Sequence, residues 1–273
     1  MIVERTRVSP SWLDLREPAD AVARSRELVE HLQSRLPATR CLVVHDLASG
    51  TGSMGRWLAP LLQGPQRWVL HDVDEDLLDV AAVDPPRPAA GGRSVAVETR
   101  RSDVTELRPE DLAGASLITA SALLDLLTHE ELARLIDVCA EAGCPALLAL
   151  SVVGQVELAA PDPVDSIVAA AFDAHQRRMT GRGRLLGPDA VAAAVEGFRS
   201  GGATVLVRPS PWRLGAAEAE LAVEWFTGWI RAACEQSSDL AETAGPYASR
   251  RLAEARAGEL RVTVGHADLL VLP

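Results

Sequence analysis

Asp46, Asp72, Asp103 and Ser121 each stand at or just past the end of a short apolar run, and a glycine-rich loop follows the first. Carboxylates at such ends can accept hydrogen bonds from hydroxyls and amines, or attract a cation. The apolar run Cys41 to Leu47 is short and partly β-branched, broken only by His45 and Asp46, and reads as a buried strand. Ala48 to Gly52 supplies small residues where the backbone must turn and come close to something. Ser53 is placed as a helix N-cap, with a short helix over Met54 to Leu62 that Pro60 weakens. Strand, glycine loop and helix N-terminus together form the phosphate- and nucleoside-binding corner of α/β proteins.

The elements that must position the other side chains follow in order. Gln66 to Asp74 reads as a second strand ending in acid, with a helix over Glu75 to Val83. Ser94 to Arg100 alternates as a third strand and runs into Ser102-Asp103-Val104. Ala115 to Leu124 is a fourth strand containing the small residues Ala120, Ser121 and Ala122.

Two motifs overlap on the loop. Gly50-Thr51-Gly52-Ser53-Met54-Gly55 matches G-x-G-x-x-G, the dinucleotide fingerprint, with Asp72 at a suitable distance for a ribose. Asp46-x-Ala48-x-Gly50-x-Gly52 resembles the acidic-x-Gly-x-Gly-x-Gly motif of class I S-adenosylmethionine (SAM) dependent methyltransferases, departing once at Ala48. The succession Asp46, Asp72, Asp103, Ser121 favours the second. A pyrophosphate would be repelled by Asp46, whereas SAM carries a cationic amine and a sulfonium.

That resemblance covers residues 40–155 and the C-terminal strands. It implies a doubly wound, seven-stranded, mostly parallel sheet whose last strand enters antiparallel. It implies cofactor contacts from Asp46, Ala48, Ser49, Gly50, Gly52, Asp72, Val73, Asp103, Val104 and Ser121. Asp72 would take both ribose hydroxyls, Val73 would cover the adenine, and Asp103 would meet its amino group. The implied activity is methyl transfer from SAM to a small metabolite, leaving S-adenosylhomocysteine. A nicotinamide-dependent oxidoreductase, and a SAM-binding protein without transfer activity, are the alternatives.

Composition narrows the partners. A net charge of −11 over 273 residues argues against a duplex-binding surface. All 27 basic residues are arginine, so lysine Schiff-base chemistry is excluded, and the absence of asparagine removes any Asn-initiated amino-methyltransferase motif. Asp84-Pro85-Pro86-Arg87 has the Asp version of that motif in the wrong place and reads as a proline-rich loop. Cys41, Cys139, Cys144 and Cys234 lack metal-ligand spacing, and no paired carboxylates suggest a metal. Met1 to Arg7 lacks a signal-peptide stretch and no window reaches transmembrane length, so a cytoplasmic protein is expected; a monomer or homodimer is the separate expectation for its assembly.

One domain is expected over residues 1–273, with a helical cap over 1–37, a SAM-binding half over 38–154 and a substrate-side half over 155–273. In the cap, Pro18 is expected to separate a turn from a helix over Ala19 to Leu36. Later come a Thr128-to-Glu131 capping box opening a helix to Ala142, a fifth strand over Pro145 to Val153, a helix from Gly187 to Arg199, a sixth strand over Ala203 to Arg208, and a last strand over Leu260 to Leu272, kinked at Gly265-His266. Residues 155–185 and 215–258 are insertions at the carboxyl edge. The second carries Leu221, Trp225 and Trp229 on one helical face, read first as core and second as a substrate wall.

Of six histidines, His45 and His71 lie in strands and read as structural, and His175 is the candidate general base because it ends an inserted helix. Trp212, Arg213, Arg178 and Arg16 are the candidate substrate contacts: an indole stacks a flat ligand and an arginine fork holds an anionic end.

Overall fold

The computed structural model describes residues 8–36, 40–88 and 92–273; the Met1 to Arg7 segment lies outside the described residues. Ser9 and Ser25 cap two N-terminal helices, α1 (Pro10–Ala23) and α2 (Arg26–Gln33). The expected break at Pro18 is corrected. Pro18 sits inside α1, and the chain turns at Arg24, whose ψ of 136° is extended. A proline removes one amide bond from a helix, but the serine caps fix where these helices start.

Five strands, β1 (Leu42–Leu47), β2 (Gln66–Asp72), β3 (Val95–Arg101), β4 (Leu117–Ser121) and β5 (Ala146–Ala159), alternate with α3 (Ser53–Leu58), α4 (Glu75–Val83) and α5 (His129–Ala142). Beyond β5 come α6 (Pro163–Gln176), the short hairpin β6 (Met179–Thr180) and β7 (Gly183–Arg184), α7 (Ala190–Ser200), β8 (Thr204–Pro209) and β9 (Trp212–Leu214). The chain closes with α8 (Ala219–Gln236), α9 (Ser238–Thr243), α10 (Gly245–Arg256) and β10 (Arg261–Leu272).

The main sheet runs β3-β2-β1-β4-β5-β10-β8, with β9 added beside β10. β1 to β5 are mutually parallel and β10 is antiparallel to both its neighbours. The order reverses between β1 and β4, so the crevice at the carboxyl ends of these strands is where a ligand site is expected. This is the sheet that the sequence resemblance implies.

Alternation along the strands fills both faces. Leu148 and Leu269 pack with Leu132 and Leu135 of α5 and Phe198 of α7, while Leu147 and Leu270 pack on the other face with Leu28, Met54 and Leu78. A third apolar cluster, built on Trp212, Phe226, Trp229 and Tyr247, lies among the helices of residues 155–273.

The fifth strand was expected to stop at Val153, and this is corrected: β5 continues to Ala159 because β10 pairs with it to Arg261. Antiparallel partners extend as a ribbon without needing a crossover. The ribbon bends where its register shifts between Val264 and His266. Gly265 is required there, since a Cβ would stand 2.8 Å from Gln155 and 3.0 Å from Val153. Ser53 is corrected from N-cap to first residue of α3; Gly52, at φ +86°, takes the cap position, a conformation glycine adopts without penalty.

Candidate functional site

One cavity of about 1280 Å³ lies between the carboxyl ends of the first strands and α1. Pockets for drug-sized ligands run roughly 300–1,000 Å³, so there is room for a nucleoside-sized ligand and a second molecule.

The sheet side is built by strand ends. Asp46, the penultimate residue of β1, is 1% exposed; its Oδ1 accepts from Thr119 Oγ1 at 2.7 Å and its Oδ2 is buried with no hydrogen-bond partner among the described residues. Burial pushes its carboxyl up to about 7, against the pull of the Thr119 hydrogen bond and the nearby Arg24 charge. Asp72 closes β2, with Oδ2 accepting from the Gly50 amide at 2.8 Å and Oδ1 from the Asp74 amide at 2.9 Å. Burial raises this carboxyl as well, opposed by those amides. Each carboxylate oxygen keeps a second lone pair for a ligand hydroxyl.

Ala48, Ser49, Gly50, Asp72, Val73, Asp103 and Ser121 line this cavity together with Asp46. Three non-glycine residues on its wall have positive φ: Ala48 at 51°, Ala122 at 53° and Leu150 at 55°. Such conformations cost of order 1–3 kcal/mol each and gather at ligand sites. Leu150 is held in place by Asp268, whose Oδ1 accepts its amide at 2.8 Å and whose Oδ2 accepts the Ser25 amide at 2.7 Å. Gly52 shapes the loop from behind, facing Ala81 and Leu70, and Val104 packs against the apolar core.

Helix α1 lies across the opening as a lid, with Trp12, Leu13, Arg16 and Asp20 on the cavity wall. Leu13 packs so close to the loop that a Cβ on Gly50 would stand 3.1 Å from it, and Glu17 holds Arg56 of α3 at 2.8 Å. Arg24 is 2% exposed and reaches across the break between α1 and α2 to Ser53 Oγ at 3.2 Å and Ser121 Oγ at 3.0 Å.

The far half of the cavity is aromatic. Trp12, Phe172, Trp212 and Trp225 line it with Val156, Val264 and His266. Trp212 is 3% exposed, donates to Asp20 Oδ1 at 2.9 Å, and has the Arg16 guanidinium 5.0 Å above its ring. Arg16 in turn forks onto Asp20 at 3.0 and 3.2 Å. Of the α8 stripe, Leu221 and Trp229 are core and Trp225 also reaches the cavity.

Three expected residues stand elsewhere. Arg213 is exposed and does not line the cavity, because β9 alternates and sends Trp212 inward and its neighbour outward. His175 sits on α6 with Nε2 3.3 Å from Glu235 of α8, outside the cavity, so it is corrected from a base to a tie between the inserted helices. Arg178 gives Nη1 to the His175 carbonyl at 3.3 Å and is likewise not on the wall. Arg177 forks onto Asp189 at 2.6 and 2.8 Å.

Asp125, on the turn after β4, was missed by the sequence reading and lines the cavity. The signal was there: a lone carboxylate in the apolar run Ala122 to Leu127. The spacing of Arg16, Asp20 and Arg24 by four along the first helix was a second signal, since such residues share one face. His45 and His71 are structural, as their strand positions suggest: they stack, share a 3.0 Å hydrogen bond, and His71 Nδ1 meets Ser102 Oγ at 2.9 Å.

No protein-family model matches the chain, and no curated protein matches it. Solved structures do. The chain is similar to a cyclopropane synthase from Mycobacterium tuberculosis at 14% identity, over 96% of this chain and 94% of that one, with a TM-score of 0.49. It is similar to a magnesium protoporphyrin IX methyltransferase from Synechocystis PCC 6803 with bound S-adenosylhomocysteine, at 14% identity, 99% and 90% coverage and a TM-score of 0.47. A SAM-dependent methyltransferase from Geobacter sulfurreducens in complex with S-adenosylhomocysteine gives 13%, 97% and 98%, and 0.44. Likeness this distant assigns no chemistry, which has to come from the residues of the cavity. No helix among the described residues is long and apolar enough to cross a membrane.

Proposed function

We propose that the protein is a SAM-dependent methyltransferase acting on a small molecule, with the whole chain working as one domain. The observation that carries this is the pairing of Asp46 and Asp72 on one wall. Both are carboxylates at adjacent strand ends, and Asp46 keeps a buried oxygen without a partner among the described residues. A cationic amine answers that oxygen, whereas the pyrophosphate of a dinucleotide would add charge of the same sign.

The residues present fit SAM. Asp46 and Ser49 would hold the methionine end, Asp72 the ribose, and Val73 and Asp103 the adenine, with Gly50 letting the backbone approach. When bound, SAM supplies an electrophilic methyl carbon. The chain's part is to orient the acceptor and keep water out, which α1 and the aromatic half of the cavity support by covering it.

Calorimetry tests this. SAM or S-adenosylhomocysteine should bind and NAD should not; binding of NAD alone would end the reading. Asp72→Ala should weaken SAM on the order of 2–3 kcal/mol through loss of charge-assisted bonds. An Asp72→Ala protein that binds as tightly as its parent would place the ribose elsewhere.

A further inference from the structure

The aromatic half of the cavity has its own charge logic. Among the described residues, nine acidic side chains and two arginines stand around the whole cavity. In the aromatic half Arg16 is already committed, forked onto Asp20 and stacked on Trp212. Arg213 and Arg178, which would have held an anionic group, are not on the wall. An anionic substrate therefore meets no free cation on the wall of this half, among the described residues.

Asp125 is the opposite case. It is half-buried, opens onto the cavity, and has no ion-pair partner within 4 Å among the described residues. The charges that act on it are those of Arg16 and Arg178, and Arg16 stacks on the Trp212 ring, so Asp125 belongs with the Trp212 side of the cavity. Loss of solvent pushes its carboxyl up to about 6, so it is mostly ionised at neutral pH. His266, 6% exposed and tilted against Trp212 at 5.3 Å, lines the same half with Nδ1 buried and unpartnered among the described residues. Burial holds that ring at about 4, so at neutral pH it is uncharged and one of its nitrogens accepts. Both polar groups thus call for a ligand with N–H donors, and the indole faces of Trp212 and Trp225 call for a flat or cationic body.

We propose that the second ligand of this cavity is an amine with a flat apolar body, its nitrogen held by Asp125 and its body between Trp12, Phe172, Trp212 and Trp225. This rests on the methyltransferase reading only for calling the amine a substrate; the binding itself follows from the wall. The same charges disfavour an anionic substrate.

Three indoles that differ in side-chain charge test it by calorimetry at pH 7.5, with and without S-adenosylhomocysteine: tryptamine, tryptophol and indole-3-acetate. Tryptamine should bind at least tenfold tighter than tryptophol, with indole-3-acetate weakest. Asp125→Asn should cost tryptamine about tenfold or more, leave tryptophol within about twofold, and leave S-adenosylhomocysteine binding unchanged. Indole-3-acetate binding as well as tryptamine overturns the proposal, as does failure of all three to bind or an Asp125→Asn protein that keeps the amine preference. Loss of S-adenosylhomocysteine binding in the parent protein, with the charge order intact, would instead sink the cofactor reading alone. The charge series on the parent protein decides the matter even if the variant misfolds.

Discussion

Arg24 Nη2 stands 3.0 Å from Ser121 Oγ, joining the break between the two N-terminal helices to the end of β4. The same guanidinium reaches Ser53 at the start of α3 and faces Asp20 at 3.9 Å. Lid and strand ends are thereby fastened through one buried cation. Burial lowers its pKa while Asp20, Asp268 and Asp46 hold the proton on.

Removing that cation leaves buried carboxylates without their counter-charge, a loss typically worth about 3–5 kcal/mol. Arg24→Ala should therefore lower stability to urea by about that amount. Arg24→Lys should recover only part, because a single ammonium cannot fork to two serines. A urea midpoint of Arg24→Ala equal to the parent's would show that the lid is held by other contacts.

Binding of SAM should depend on pH through Asp46. Its carboxyl is raised to about 7, and the cation it is proposed to meet requires the ionised form. Below about pH 7 the protein must release a proton to bind, so affinity should fall up to tenfold per pH unit from pH 7 to pH 5.5. Calorimetry in two buffers of different ionisation heat counts that proton. Asp46→Asn should bind more weakly and show a flatter profile; an unchanged slope in Asp46→Asn would assign the proton to another group.

The sheet and the Asp46 side of the cavity were legible because their signals are local. Asp46, the glycine loop and the start of α3 are contiguous in sequence, and alternation marks each strand. The contacts of the N-terminal helices and the aromatic side of the cavity were not, because they join distant segments. Arg24 meets Ser121 across 97 residues, and Trp212 meets Asp20 across 192. Trp212 and Arg213 were read as a pair serving one ligand, yet neighbours on a strand point to opposite faces. His175 looked free at a helix end, and only the fold brings Glu235 beside it.

The buried imidazoles give the fold an acid sensitivity of its own. His45 and His71 are both held at about 4 by burial, with Arg100 adding to the effect on each and His71 adding to that on His45. Unfolded, each takes up a proton near pH 6.5, so the unfolded chain binds more protons as pH falls. The stability these two contribute is present above about pH 6.5 and is lost as pH drops toward about 4. Raised carboxylates such as Asp46 act in the opposite direction, since the folded protein keeps their protons longer. They remain in a His45→Gln, His71→Gln double variant and cancel in the comparison. Between pH 5 and 6 the parent should lose stability faster than the double variant, by on the order of 2 kcal/mol per pH unit for two protons at about 1.4 kcal/mol each. Urea titrations of both proteins at pH 5, 5.5 and 6 measure the difference in slope. Parallel lines would mean that the pair is already protonated, or already neutral, in both the folded and unfolded states.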